Sequence, residues 1–228
     1  MRVPWLGGGL SGLVDLVLPL RCAGCDVAGT AWCRDCSREL GGLRRVERPL
    51  LEPGPPAYAL GRYRGAARRA VLAYKESGRR YLAEPLARHL AVGLCAIAAE
   101  HRLDQAWCLV PAPSRAIASR RRGGAHMSRI AHRAAAALTA SGQPSVVADC
   151  LITARGAADS AGLDAAERVR NLSGRVLGRT GRIPPPTAQV ALIDDVITTA
   201  ATAASCVAVL GTAGVEVAAV LSLTATAG

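Results

Sequence analysis

The residues best placed to do chemistry lie in one stretch, Val190-Ala-Leu-Ile-Asp194-Asp195-Val-Ile-Thr198-Thr199-Ala200-Ala201-Thr202. A run of four apolar residues reads as a buried parallel strand. Two adjacent carboxylates sit where it ends, and hydroxyls and small residues lead into an apolar-periodic helix. Backbone N–H groups and the hydroxyls of Thr198, Thr199 and Thr202 can receive a phosphate at that helix N-terminus. Asp194 and Asp195, at the carboxyl end of the strand, can hold ribose hydroxyls directly or through Mg²⁺. The plainer alternative is a buried strand whose acid pair merely caps the helix.

A second chemical group lies near the N-terminus. Cys22-Ala-Gly-Cys25 and Cys33-Arg-Asp-Cys36 are two Cys-x-x-Cys knuckles separated by seven residues, close enough to converge on one tetrahedral ion. Zinc is the expected ion, and a redox dithiol pair is the alternative. Gly24 and Gly29 would allow the tight turns, and Arg21 and Arg34 could offset part of the thiolate charge. Cys95, Cys108, Cys150 and Cys206 stand singly in apolar surroundings and read as core residues.

Other candidates flank predicted elements. The short strand 107–110 runs into Pro111-Ala112-Pro113-Ser114-Arg115, where two prolines fix a rigid turn suited to a site loop. Arg120-Arg121-Arg122 precede Gly123-Gly124. They form either a solvated charge run or mobile arginines that close over pyrophosphate. Residues 155–171 are either plain structure or a binding lid. Lys75 is the only lysine, since 27 of the 28 basic residues are arginine. It either survives by chance on a solvated helix face or serves where a compact ammonium is needed.

These residues need a scaffold. At 228 residues the chain can bury a substantial core, and its net charge of +11 suits an anionic partner without choosing one. Asp15 and Pro19 interrupt the moderately apolar start, and no apolar run reaches the ~18 residues of a membrane span. A cytoplasmic protein is therefore expected. Residues 1–40 read as a zinc-binding module, 41–57 as a Gly- and Pro-rich linker, and 58–228 as the main domain. Within it, helical periodicity is expected from Ala59 to Gly78, about 82–101 and 126–140. Edge and closing strands are expected at 146–148 and 215–223, and 151–155 reads as extended. Strands alternating with helices predict an α/β fold with a largely parallel sheet flanked by helices. Its ligand crevice would lie at the strands' carboxyl ends.

The stretch 190–202 resembles the PRPP-binding signature of type I phosphoribosyltransferases, with Ala200 where that signature normally has glycine. The whole set, in order, resembles the ComF-like (competence protein F) family. It comprises the Cys₄ module, Tyr74-Lys75 with Gly78, Val110-Pro-Ala-Pro113, Arg120-Arg-Arg-Gly123, Gly162-Leu163 with Glu167-Arg168 and Asn171-Leu172, and the PRPP-type signature. The sequence departs where that family often shows Arg-Gly-Phe-Asn, since Gly124 and Ala125 follow Gly123. The resemblance implies a type I phosphoribosyltransferase-like fold and a PRPP or sugar-phosphate ligand bound with Mg²⁺. Asp194 and Asp195 would hold the ribose. The phosphates would meet Thr198, Thr199, Ala200, Ala201, Thr202, Lys75, Pro111, Ala112, Pro113, Arg115 and Arg122. It implies either a PRPP-dependent transferase or sensor, or a nucleic-acid-handling adaptor. The adaptor would serve the uptake of single-stranded DNA in natural transformation beside a helicase partner. With no Phe, four Tyr and three Trp, base stacking is poorly provided for, so sequence-specific recognition of a single strand is not expected.

Overall fold

The structure, a computed structural model, describes residues 20–113, 126–154 and 176–227. A four-residue helix α1 (Arg34–Ser37) is followed by strands β1 (Arg44–Arg45) and β2 (Ala57–Arg62). Helices α2 (Gly65–Lys75) and α3 (Ala83–His101) lead to β3 (Trp107–Pro111), and α4 (His126–Ala140) leads to β4 (Ser145–Val147). After β5 (Leu151–Thr153) and β6 (Val176–Gly178) come β7 (Gln189–Ile197), α5 (Ala201–Thr212) and β8 (Val217–Ala225).

The expected α/β architecture is present. Six strands form one sheet in the order β1-β2-β8-β7-β3-β4, all parallel except the antiparallel edge strand β1. β5 and β6 pair antiparallel in a separate ribbon. Side chains of period two feed two cores. Tyr58, Leu60, Leu109, Ala191 and Ile193 pack on the face covered by α2, α3 and α4. Ala57, Ala59, Val110, Val190 and Leu192 pack on the other face, with α5 and the ribbon.

From β3 the chain moves outward to β4, then returns to the other side of β3 as β7 and steps away again to β8. The winding therefore reverses between β3 and β7, and an open parallel sheet forms its crevice at the carboxyl ends of two such strands. The Pro111-Ala112-Pro113 turn and the Asp194-Asp195 pair are brought to this place.

Two expectations are corrected. Residues from Ala59 to Arg62 are not helical but complete the buried strand β2, because an apolar run this short carries no decisive period. Residues 41–57 are not a bare linker: β1 pairs with β2, and a 3₁₀ turn, Pro49–Leu51, buries Leu51. The closing strand expected at 215–223 is present as β8, and it lies between β2 and β7.

The segment Arg80–His101 is the one helix among the described residues long and apolar enough to cross a membrane, with mean hydropathy 1.3. It is a core helix here, since Leu82, Leu86, Leu90, Leu94 and Ile97 are fully buried. Gly93 lets it approach the sheet closely, for a Cβ there would come within 2.7 Å of Leu60 Cδ2.

Candidate functional site

Alternation along β7 sends its two acids to opposite faces of the sheet end. Asp195 points toward α2 and α4. Its Oδ2 meets Lys75 Nζ at 2.7 Å and His126 Nε2 at 2.8 Å. Lys75 is the last residue of α2 and His126 the first of α4, so three elements converge on one carboxylate oxygen. Tyr74 fixes the other end of this arrangement, donating its hydroxyl to the His126 carbonyl at 2.9 Å with the two rings edge to face. Burial opposes the charge on Asp195, but the His126 hydrogen bond and the Lys75 ammonium outweigh it. Its pKa lies below the usual carboxylate range.

Asp194 points toward α5 and lies above the buried Cys206 thiol, whose pKa burial and the Asp194 charge raise. Although one edge of Asp194 stays open to solvent, burial and the neighbouring Asp195 charge push its pKa up to about 7. The Asp195 backbone N–H donates to Asp194 Oδ1 at 2.8 Å, which partly offsets this. Adjacent carboxylates thus sit in opposite protonation regimes, the arrangement that separates the roles of an acid pair.

Beyond them the loop turns sharply into α5. Thr198 and Thr199 are exposed and Thr202 is partly so, with the Ala201 N–H 3.5 Å from Thr199 Oγ1. Ala200 has φ 65° and ψ 12°, the left-handed conformation that favours glycine. Across the crevice, the Ala112 N–H donates to the Ile193 carbonyl at 2.8 Å, holding the Pro111–Pro113 turn beside the acid pair. The structure therefore brings Lys75, Pro111, Ala112, Pro113, Asp194, Asp195, Thr198, Thr199, Ala200, Ala201 and Thr202 to one end of the sheet. Arg115, Arg122 and the motif at 162–172 lie outside the described residues.

Two contributors were not foreseen. His126 was read only as a helix start, and nothing in its spacing links it to a carboxylate 69 residues away. Arg48 lay in the supposed linker. It donates to the carbonyls of Thr198 at 2.6 Å, Thr226 at 2.7 Å and Glu47 at 2.7 Å, tying the loop to the segment after β8.

The four cysteines form a second centre. All four Sγ atoms of Cys22, Cys25, Cys33 and Cys36 lie within 4.8 Å of one another, and Cys25 and Cys33 are 3.7 Å apart. Sulfurs on a tetrahedral ion with bonds of about 2.3 Å stand about 3.8 Å apart, so the set suits a metal. Burial opposes ionisation of Cys22, yet the backbone N–H groups of Cys33, Cys25 and Gly24 bring its pKa down to about 6. Gly29 has the expected positive φ of 88°, but Gly24 is needed for space instead. A Cβ on Gly24 would fall 2.8 Å from Ala66 Cβ and against Cys36 Sγ. Arg21 pairs with Asp26 at 3.0 Å.

In comparisons with known proteins, the chain matches no protein-family model and no curated protein.

Proposed function

We propose that the crevice between β3 and β7 binds PRPP or a related sugar phosphate together with Mg²⁺. The chain would be a cytoplasmic, ComF-like protein whose four cysteines hold a structural zinc ion. The observation that carries this reading is the acid pair at the point where the winding reverses, flanked by a rigid proline turn and a threonine loop opening a helix. Asp195, anchored through Oδ2, keeps Oδ1 for a ribose hydroxyl, and Asp194 offers hard oxygen donors to ribose or Mg²⁺. Thr198, Thr199, Thr202 and the first N–H groups of α5 take the 5′-phosphate. Lys75 lies on the side of the pyrophosphate. Bound with the ligand, Mg²⁺ would supply charge neutralisation at that pyrophosphate. In a transfer reaction the fixed charge of Asp195 would stabilise an oxocarbenium-like centre without a covalent nucleophile.

Calorimetric titration with PRPP, with and without Mg²⁺, tests the reading. A saturable, Mg²⁺-dependent signal is expected, and the double substitution Asp194→Asn with Asp195→Asn should abolish it. Silence in both conditions would overturn the assignment. Because Asp194 holds its proton up to about pH 7, cation-dependent affinity should rise between pH 6 and pH 8. Metal analysis of freshly purified protein should find about one zinc per chain.

A further inference from the structure

A cleft of about 570 Å³ lies between the loop 22–26 and the outer face of α2, and two of the four clustered cysteines line it. Cys22 is 1% exposed, and its sulfur already accepts the N–H groups of Gly24 and Cys33 at 3.4 Å each. Cys25 is exposed, so of the two it presents the sulfur that a solute in the cleft can reach. A sulfur that ligates a metal is a thiolate, and the thiolate is the nucleophilic form. The cleft is also basic. Arg69 donates its Nε–H to the Gly24 carbonyl, and its two terminal nitrogens make no further hydrogen bond among the described residues. Arg79 forms no ion pair with a carboxylate among the described residues. The one acid in the lining, Asp26, is paired with Arg21 at 3.0 Å. Leu72 and Ala73 supply an apolar wall.

We propose that Cys25 is a thiol-modification site, reached through this cleft by a small disulfide that carries carboxylates. The Cys25 thiolate attacks one sulfur of that disulfide. A new S–S bond joins Cys25 Sγ to the bound half, the original S–S bond breaks, and the other half departs as a thiolate that takes up a proton. The Cys25 sulfur is oxidised and the departing sulfur reduced, so the disulfide itself is the oxidant. The planar forks of Arg69 and Arg79 match carboxylates, and the volume suits a ligand of short-peptide size better than one small ion. Cys33 Sγ, 3.7 Å from Cys25 Sγ, is placed to attack the adduct in turn, releasing the second half as a thiolate and leaving a Cys25–Cys33 disulfide. Either product takes Cys25 out of the Cys₄ set, so exposure to the oxidant is converted into loss of the metal. The site uses no residue of the Asp194–Asp195 crevice and stands whatever that crevice binds.

Peptide mass mapping after timed exposure of the full chain, as purified, to glutathione disulfide tests this, with zinc release followed by a chromogenic chelator. Two disulfides without carboxylates, neutral hydroxyethyl disulfide and cationic cystamine, supply the comparison of charge. Cys95, exposed on α3, is an internal reference for the intrinsic reactivity of each reagent. Modification of Cys25 relative to Cys95 should be about tenfold or more higher with glutathione disulfide than with the other two, the value of one charge-assisted contact. Arg79→Gln, which leaves the bond from Arg69 to the Gly24 carbonyl in place, should erase that preference. Zinc release should keep pace with loss of the Cys25 thiol. Thermal melts confirm that the variants fold. The same ratio with all three reagents, a preference that survives in both Arg79→Gln and Arg69→Gln, Cys25 left intact while Cys95 reacts, or zinc released before Cys25 is modified would overturn the proposal.

Discussion

Lys75 shares one oxygen of Asp195 with His126, and that crowding explains a lysine in a chain that otherwise uses arginine. A compact ammonium fits beside the imidazole, whereas a planar guanidinium reaching for both oxygens would have to displace it. Lys75→Arg should therefore weaken PRPP binding about tenfold, close to 1.4 kcal/mol, and unchanged affinity in calorimetry would count against the pairing's role. Ala200 makes a different demand. A non-glycine residue in the left-handed region costs about 1–2 kcal/mol, and glycine returns about 0.4–1 kcal/mol of that through the unfolded chain. Ala200→Gly should thus raise the melting temperature by roughly 1–4 °C and tighten PRPP binding. Equal affinity would show that the methyl group does not hinder the phosphate. Asp194 carries a pH signature. Its folded pKa lies above the unfolded value, so the folded state is penalised as pH rises from about 4 to about 7, and the full penalty remains above that. Asp194→Asn should therefore stabilise the protein by a few degrees at pH 8 and not at pH 4. Asp195 has the opposite sign, its contribution being lost only as pH falls through its lowered pKa.

Among the elements, α2 connects the two centres. Its first turn is held by the Cys₄ region, where Glu39 Oε2 accepts the Ala67 N–H at 3.0 Å and Arg69 donates to the Gly24 carbonyl. Its last residue is Lys75. Trp32, Cys22 and Cys36 belong to the same core as α2 and α3, and Trp32 Nε1 donates to His89 at 3.3 Å. A module of this size with little core of its own is expected from sequence to unfold alone when it loses its metal. This packing predicts instead that Cys25→Ser or chelation lowers the main melting transition, by roughly 5–10 °C, and speeds amide exchange in α2. A low-temperature step that leaves the main transition in place would restore the independent module. The elements differed in how readily they could be read. α3 and α4 carried long stripes of Leu, Ile and Ala at helical spacing, and their expected and observed bounds nearly coincide. β2 was misread because Ala57-Tyr-Ala-Leu is buried on both faces, so it has neither strand alternation nor a helical stripe. β6, three residues long, is defined by its pairing with β5 and by the burial of Val176 in the core beside α5.

For the molecule as a whole, the acid pair, the threonine loop and the proline turn were legible because each is a local pattern at a strand end. What placed them together, the order of the strands, is not local, and no periodicity in β8 tells which neighbours it will have. His126 and Arg48 stayed hidden for the same reason, since each gains its role only from a partner distant in sequence. The position of β8 also bears on how the protein is made. β2 and β7 are both translated before the strand that must come between them, and β2 waits longest, with one long edge covered only by the two residues of β1. A chain ending at Ala213 should show no cooperative melt, and a sharp transition would contradict this. Until β8 emerges from the ribosome, the β7 strand that carries the acid pair lacks its neighbour on the side away from the crevice. Ligand can then assist only the last step of assembly, and the unpaired edges of β2 and β7 are what a chaperone would have to shield.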